Sequence, residues 1–186
     1  MLAVVMTWPI APKMNRAARI DSTDAMYAMW NVAWVARAVT SNPAELFNAN
    51  IFHPHKGTLA YSEGNIGAGV LGAPAWALTR NPYTTYNSVV LLGFTLSFLC
   101  TYALVHRLTG RRLPALVAAA AFAYMPYVYA RLPHIQLQMT FGIPWHCWRS
   151  IVWSTCLNGA TARCSALHWQ LQHCPPHTTA CWSGSQ

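Results

Sequence analysis

The sequence predicts an all-α, polytopic membrane protein, and two long uncharged stretches joined at an arginine pair carry that prediction. Residues 81–105 and 113–130 contain no Asp, Glu, Lys or Arg. Each stretch reaches or approaches the roughly 20 apolar residues that a membrane-spanning helix needs. The link between them is too short for a soluble domain, so the two helices must form an antiparallel hairpin. Because Arg107, Arg111 and Arg112 lie at its tip, the positive-inside rule places the tip in the cytoplasm.

The composition agrees with residence in a membrane. Only 9% of the 186 residues are charged, and 54% are hydrophobic, whereas about a quarter of the residues in a soluble domain are charged. The net charge of +8 reflects a scarcity of acids, which are Asp21, Asp24, Glu45 and Glu63. The basic residues form no run interleaved with aromatic residues, so a nucleic-acid partner is not expected. The expected partner is the lipid bilayer.

The chain divides by composition into a membrane region, 1–144, and a tail, 145–186. Five of the six cysteines, five of the nine tryptophans and four histidines lie in the tail, which has no acid. The Cys and His spacing does not match that of structural zinc sites. The tail also lacks the hydrophobic periodicity of a packed, disulfide-linked module.

A shift of reading frame explains the tail better. The run Trp145-His-Cys-Trp148 must be encoded TGG-CAY-TGY-TGG, and triplets that begin one base earlier encode Leu/Met/Val-Ala-Leu-Leu. The shifted frame thus restores the composition of a membrane helix where a further helix is expected. We interpret 145–186 as a frameshifted tail without a domain or a metal site. An intact frame around codon 144 in independent DNA reads would contradict this interpretation.

Before the hairpin, the pattern predicts several shorter elements. Residues 1–12 are apolar over about half a membrane span, and we expect them to be the outer end of a first membrane helix. The next helix follows Asp21, with Met26, Trp30, Ala33 and Trp34 on one stripe that suits the membrane interface. Residues 48–63 are predicted to be a loop. Residues 64–79 are rich in Gly and Ala and predict a short or re-entrant helix packed closely on its neighbours.

Asp21-x-x-Asp24 is the strongest candidate for catalysis. Two carboxylates beside a membrane can accept a proton from an attacking hydroxyl or bind a divalent cation. The alternative is structural, because Asp21 could cap the helix with Asp24 at its third position. The hairpin topology places both on the external face, together with 13–80 and 131–138.

Candidate substrate-binding residues follow in the same external segments. Glu63 lies at the edge of the Gly/Ala-rich segment, where an acid suggests function, and Lys56 is its expected basic partner. His53, His55 and Lys56 could bind a phosphate or diphosphate, although an ordinary loop has a similar composition. His134 is a further candidate, or else an anchor at the interface. Tyr124, Tyr127 and Tyr129 suit an aromatic belt rather than a substrate role.

In their order and spacing, these pieces resemble the large bacterial GT-C-type membrane glycosyltransferases, including the dolichyl-phosphate-mannose mannosyltransferase-like proteins. The resemblance covers 1–144, and no single motif in it is specific. The matching segments are Thr7-Trp-Pro9, Asp21-x-x-Asp24 with Trp30 and Trp34, Pro43-x-x-Leu46-Phe47-x-Ala-Asn50-x-Phe-His53-Pro54, Leu59-Ala-Tyr-Ser-Glu63, Pro74, Leu78-Thr-x-Asn-Pro82, Tyr86-Asn87, Leu108-Thr-Gly110, Pro126-Tyr127 and His134-x-Gln-Leu137.

The resemblance implies an activity and a location. An acid in the first external loop of such enzymes is a catalytic base or a metal ligand, a role that maps onto Asp24 or Asp21. The donor is a sugar on a polyprenyl phosphate, the acceptor is a hydroxyl, and the anomeric carbon is inverted. The location is the bacterial inner membrane. These enzymes have many more spans, so we expect this chain to be an inactive N-terminal fragment. The alternative is a non-catalytic membrane protein, such as an assembly subunit or a transporter fragment.

Overall fold

A computed structural model of the chain describes residues 2–18, 23–61 and 63–155. Within these ranges the fold is helical and contains no strand, which confirms the all-α prediction for this part of the chain. Asp21 and the tail cysteines Cys156, Cys164, Cys174 and Cys181 lie outside the described residues. The helices are α1 (Leu2–Met6), α2 (Thr23–Ser41), α3 (Ile66–Thr79), α4 (Pro82–Thr109), α5 (Arg112–Ala123), α6 (Pro126–Ala130) and α7 (142–155).

The predicted hairpin is formed by α4 and α5. The Asn81 side chain caps α4 by accepting hydrogen bonds from the Tyr83 and Thr84 amides at 2.9 and 3.3 Å. The helix ends at Gly110, whose φ of 66° lies in the left-handed region that glycine adopts without steric cost. The Tyr124 ring then packs on Phe94 and Phe98, with ring centroids 5.7 and 6.3 Å apart. Phe94 and Phe98 precede Gly110 by 16 and 12 residues, and Tyr124 follows it by 14, so these contacts confirm the antiparallel arrangement.

The second uncharged stretch is interrupted, whereas the sequence predicts one continuous helix over 113–130. The break falls at Met125, which is extended with φ −63° and ψ 146°. Pro126 causes it, because a proline ring disfavours helical geometry in the preceding residue and supplies no amide hydrogen. Taken together, Arg112–Ala130 is still 19 residues long, and α4 is 28. Both are long and apolar enough to cross a membrane.

The residues of α2 that face the core are Ala25, Ala28, Asn31, Val32 and Val35. These follow the i, i+3, i+4, i+7 spacing of one helix face. In the stripe predicted for the membrane interface, Met26 is 60% exposed and Ala33 is buried, and the location of this stripe at an interface stays a prediction. Trp30 and Trp34 stack on each other at 6.3 Å and pack with Leu46 and Ile51 of the following loop.

Helix α3 packs closely between α2 and α4, as its Gly and Ala content predicts. A Cβ added at Gly69 would overlap the Val35 side chain of α2. A Cβ at Gly72 would lie 2.8 Å from the Thr85 side chain and 3.1 Å from that of Val89, both in α4. Glycine therefore lets three helix backbones approach one another.

The segment before α2 is held against the start of α4. The buried Asn87 amide donates to the Met14 and Ala17 carbonyls at 3.0 and 2.8 Å. The Asn81 amide donates to the Asn15 carbonyl at 3.0 Å. Within residues 2–12, Leu2–Met6 is α-helical and a 3-10 helix, Ala11–Lys13, begins at Ala11; that Leu2–Met6 is the outer end of a membrane helix stays a prediction.

The chain separates into two compact units, Met1–Trp145 and His146–Gln186. The second unit is described as far as 155, and this part is helical with exposed His146 and Cys147. The interpretation of 145–186 as a frameshifted tail stays a prediction. All of the features discussed below belong to the first unit.

Candidate functional site

An open cavity of about 410 Å³ lies against the first half of α2 and is lined by Tyr27, Phe52, His55 and Tyr61. Phe52 and Tyr61 are each 62% exposed, and their ring centroids lie 6.2 Å apart. The Tyr27 hydroxyl oxygen is buried and has no hydrogen-bond partner. The cavity therefore combines aromatic walls with an imidazole, and the unsatisfied hydroxyl oxygen of Tyr27 is buried within the protein. Small-molecule sites in proteins have this composition and a volume of about 300–1,000 Å³.

The loop that supplies Phe52 and His55 is closed at its base by hydrogen bonds. The Gly57 amide donates to Asn48 Oδ1 at 2.9 Å, and the Thr58 hydroxyl donates to the Ala49 carbonyl at 3.0 Å. The Leu59 amide donates to the Phe47 carbonyl at 3.0 Å. Because Leu59 is fully buried, this base is fixed to the core, and the tip of the loop is presented to solvent.

The backbone at Phe52 is strained. Its φ of 57° places an aromatic residue in the left-handed region, which residues other than glycine adopt only infrequently. The His55 amide donates to the Phe52 carbonyl at 2.9 Å and helps to hold this turn. This turn lets two residues of one short segment, Phe52 and His55, both line the cavity.

Glu63 connects three separate parts of the chain. Its backbone carbonyl accepts a hydrogen bond from the side-chain amide of Asn31 in α2. Its carboxylate accepts a hydrogen bond from the side-chain amide of Gln136, which follows α6. The expected partner was Lys56, but the recorded contact of the carboxylate is with Gln136. Asn31 Oδ1 and Gln136 Oε1 are buried and lack partners, so unsatisfied polar atoms cluster around Glu63.

Asp24 is exposed in the first turn of α2. It precedes Tyr27 by three residues, and residues at this spacing are neighbours on one helix face. The carboxylate therefore lies one helical turn from Tyr27, although Asp24 is not itself one of the residues that line the cavity. Asp21, the other predicted catalytic residue, lies outside the described residues. Its alternative role as a helix cap stays a prediction.

The remaining candidates are distributed around this region. His53 and Lys56 are exposed in the same loop as His55, but only His55 lines the cavity. His134 is half-buried and directly precedes the short 3-10 helix Ile135–Gln138, whose first residue, Ile135, is buried. Arg131 lies over the Tyr127 ring at 5.9 Å. Tyr124 and Tyr129 both pack on Phe94, which gives them a packing role.

The described residues contain no group of three or more His, Cys, Asp or Glu side chains that could hold a metal ion. Asp24 alone would supply a single carboxylate, whereas Mg²⁺ in proteins is usually held by one or two carboxylates together with substrate phosphates. A divalent cation here would thus depend on Asp21 or on the substrate. The described geometry suits Asp24 as a base more directly than as part of a complete metal site.

Five side chains of this region escaped prediction from the sequence: Tyr27, Asn31, Phe52, Tyr61 and Gln136. A signal existed for Asn31, because an amide at a core-facing position of an apolar helix is unusual unless it has a fixed partner. For Gln136 no local signal existed, since its partner is 73 residues away.

Comparisons of the chain with models of protein families, with curated proteins and with solved structures give no match. The functional interpretation consequently depends on the residues and their geometry.

Proposed function

We propose that the chain is the N-terminal part of an integral membrane glycosyltransferase, which transfers a sugar from a polyprenyl phosphate to an external hydroxyl. One observation carries the proposal: an exposed carboxylate, Asp24, lies one helical turn before Tyr27, which lines a cavity of about 410 Å³, on a protein with two helices of membrane-spanning length. The fragment itself is expected to be inactive. We place the parent enzyme in the inner membrane of a bacterium, on the family resemblance alone.

The outer surface of α4 and α5 supports a membrane location. In the apolar windows of the two candidate spans, only 33% and 22% of residues are buried within the protein. Leu92 and Leu99 of α4 and Leu113 and Val117 of α5 are 40–75% exposed. A soluble protein rarely leaves so continuous an apolar surface without a partner.

The polar side chains on α4 also suit a lipid environment. The exposed Thr95 hydroxyl donates to the Leu91 carbonyl at 2.8 Å, and the Ser88 hydroxyl donates to the Thr84 carbonyl at 2.7 Å. Each hydroxyl is thereby satisfied within its own helix, as groups in hydrocarbon must be. The helix can face lipid without leaving these donors unpaired.

The start of α4 and the arginines are separated by about the thickness of a bilayer. Tyr86, near the start of α4, donates a hydrogen bond to the Leu132 carbonyl at 3.1 Å. Arg107 lies 21 residues further along, a distance of about 30 Å at the helical rise. Because this matches the hydrocarbon thickness of a bilayer, a cytoplasmic arginine tip would place Tyr86 and Leu132 at the external surface.

The chemistry follows from the position of Asp24. The carboxylate would take the proton of the acceptor hydroxyl. At the same time the oxygen of that hydroxyl would bond to the anomeric carbon from the face opposite the phosphate. The bond between the anomeric carbon and the phosphate oxygen would break, and the polyprenyl phosphate would leave with the bonding electron pair. The lipid chain of the donor would remain in the bilayer beside α4.

The test is Asp24→Asn in the full-length parent with the reading frame restored. Asparagine is nearly isosteric and still supports a helix N-terminus, but it cannot accept the proton. We expect transfer of labelled sugar to fall by about 10²-fold or more, with normal expression and membrane insertion. Asp21→Asn is assayed beside it, because the two carboxylates are one turn apart. Wild-type turnover in both variants would leave the aspartates with a capping role and would contradict the proposal.

A further inference from the structure

We infer that Glu63 and Gln136 line a water-filled crevice, which enters the bilayer beside α4 from the external side and favours small cations over anions. The inference rests on one part of the proposed function, namely that α4 crosses a membrane with its arginine end in the cytoplasm. It does not depend on the sugar-transfer activity. Two observations carry it: the path of the chain after α6, and the exposure of the Glu63 carboxylate along that path.

After α6 the chain turns back and runs beside α4 toward the arginine end of that helix. Three contacts, in the same order along both segments, define this path: Leu132 with Tyr86, Gln138 with Gly93, and Thr140 with Ser97. The hydroxyl oxygens of the last pair lie 3.2 Å apart. The contacts advance along α4 by about 16 Å at the helical rise. Since the hydrocarbon layer is about 30 Å thick, the segment reaches about halfway across it.

The returning segment is polar and mostly irregular at a depth where a bilayer contains no water. Its regular part is the short 3-10 helix Ile135–Gln138. Irregular backbone at membrane depth is tolerated only where it is buried in protein or lines a water-filled cavity. Gln138 is buried in protein, because it is 2% exposed and its amide donates to the Val128 carbonyl at 3.0 Å. Gln136 is only half-buried, so its outer side needs another polar environment.

The Glu63 carboxylate shows what that environment is. It accepts a hydrogen bond from the side-chain amide of Gln136, whose backbone lies between the levels of Tyr86 and Gly93 on α4. Glu63 is nonetheless exposed. An ionised side chain is costly in contact with hydrocarbon, and acids within a membrane therefore face the protein interior or a water-filled cavity. The exposed side of Glu63 thus faces water, and its negative charge attracts cations and repels anions.

The experiment measures how fast single cysteines in intact cells react with two small methanethiosulfonate reagents. One reagent is the trimethylammonium-ethyl cation and the other is the sulfonatoethyl anion. The background is the full chain with its six cysteines replaced by alanine. Gln136→Cys should react with both reagents, because the reactive thiolate forms in water. If Gln136→Cys does not insert into the membrane, Glu63→Cys takes its place in this measurement.

The charge preference is measured as the rate with the cation divided by the rate with the anion. For Gln136→Cys this ratio should exceed the ratio for 2-mercaptoethanol in solution by about threefold or more. Adding Glu63→Gln removes the charge but keeps the shape of the side chain. The ratio should then fall to the solution value. A ratio that Glu63→Gln leaves unchanged would overturn the cation preference.

The matched control is Leu92→Cys. Leu92 is 40% exposed and directly precedes Gly93, so it lies at the same level of α4 on a surface that faces hydrocarbon. It should react at least about tenfold more slowly than Gln136→Cys, because an apolar environment disfavours the thiolate.

The outcomes separate the inference from the proposed function. If Leu92→Cys reacts as fast as Gln136→Cys, this level of α4 is not in hydrocarbon, and the membrane placement fails together with the crevice. If Leu92→Cys, Gln136→Cys and Glu63→Cys are all unreactive, the crevice alone is overturned. The sugar-transfer assay of Asp24→Asn is independent of these rates, so the catalytic proposal can fail or stand by itself.

Discussion

The α4–α5 hairpin and the region around Glu63 differ in where their polar side chains find hydrogen-bond partners. In the hairpin, exposed hydroxyls such as that of Thr95 bond to carbonyls within their own helix. Around Glu63, amides from α2 and from the segment after α6 converge on one residue, and two of their oxygens stay unsatisfied. The Thr95 bond needs nothing from outside the helix, although the buried Thr101 hydroxyl of α4 has no partner. The second arrangement leaves two buried amide oxygens unsatisfied, which is costly and uncommon in native structures.

The largest expected effect is a difference in thiol labelling between the tip of the hairpin and the loop that precedes Glu63. In a variant whose six cysteines are replaced by alanine, a single cysteine is introduced at Leu108 or at Asn50, both exposed. With the arginine tip in the cytoplasm, an impermeant thiol reagent should label Asn50→Cys in intact cells. Leu108→Cys should be labelled only after the cells are lysed. Labelling of Leu108→Cys in intact cells would reverse the topology.

The close contact between α2 and α3 gives the next largest effect. Gly69→Ala places a methyl group where the Val35 side chain already lies, and such overpacking costs about 1–3 kcal/mol. Gly67→Ala is the matched control, because a Cβ there meets nothing within 4 Å, and alanine favours a helix over glycine by up to about 1 kcal/mol. Thermal unfolding in micelles, followed by circular dichroism, should move in opposite directions for the two variants. Equal shifts would mean that α2 and α3 are not in contact.

A third variant pair compares two side chains of α4: the Asn87 amide, which bonds to another segment, and the Thr95 hydroxyl, which bonds within the helix. Asn87→Ala removes the donor of the Met14 and Ala17 carbonyls, and we expect a loss of about 1–3 kcal/mol in unfolding free energy. Thr95→Ala removes a hydroxyl that bonds only within α4 and should cost less than about 0.5 kcal/mol. Unfolding in micelles measures both. A larger loss for Thr95→Ala would remove the distinction drawn between the two regions.

The smallest effect is expected at the contact between Glu63 and Gln136. Gln136→Ala deletes the amide that donates to the carboxylate and should cost about 0.5–1.5 kcal/mol. Glu63→Gln keeps an acceptor oxygen at the same place and should cost less than Gln136→Ala. If Glu63→Gln is instead the more damaging, the charge of Glu63 has a second partner that its contact with Gln136 does not provide.

The two regions also differ in how far the sequence could predict them. The hairpin depends on local properties: the absence of charge over 81–105 and 113–130, and Gly110 at the turn. Composition alone therefore predicts it, although the break before Pro126 was overlooked. The partners of Glu63 depend on contacts between distant segments, which spacing along the chain cannot reveal. The packing of the α2 tryptophans against Ala49 and Leu59 of the following loop is likewise a contact that spacing along the chain does not reveal.

Of the predicted site residues, the structure places His55 in the cavity wall and gives Glu63 a partner other than Lys56. The aromatic walls were overlooked because exposed Phe and Tyr residues in a loop have no sequence pattern of their own. They become a group only when the hydrogen bonds at the base of the loop bring Phe52 and Tyr61 within 6.2 Å. Site chemistry was thus partly predictable, and site shape was not.

The bonds that Asn87 forms have a consequence for the order in which the protein is assembled. Its partners Ala17 and Met14 precede it by 70 and 73 residues. During synthesis these carbonyls leave the ribosome well before their donor exists, so the segment before α2 must wait for α4 to be made and inserted. Residues 14–17 therefore take their final position late in biogenesis. A nascent chain stopped before residue 87 would lack the anchor that holds this segment in place.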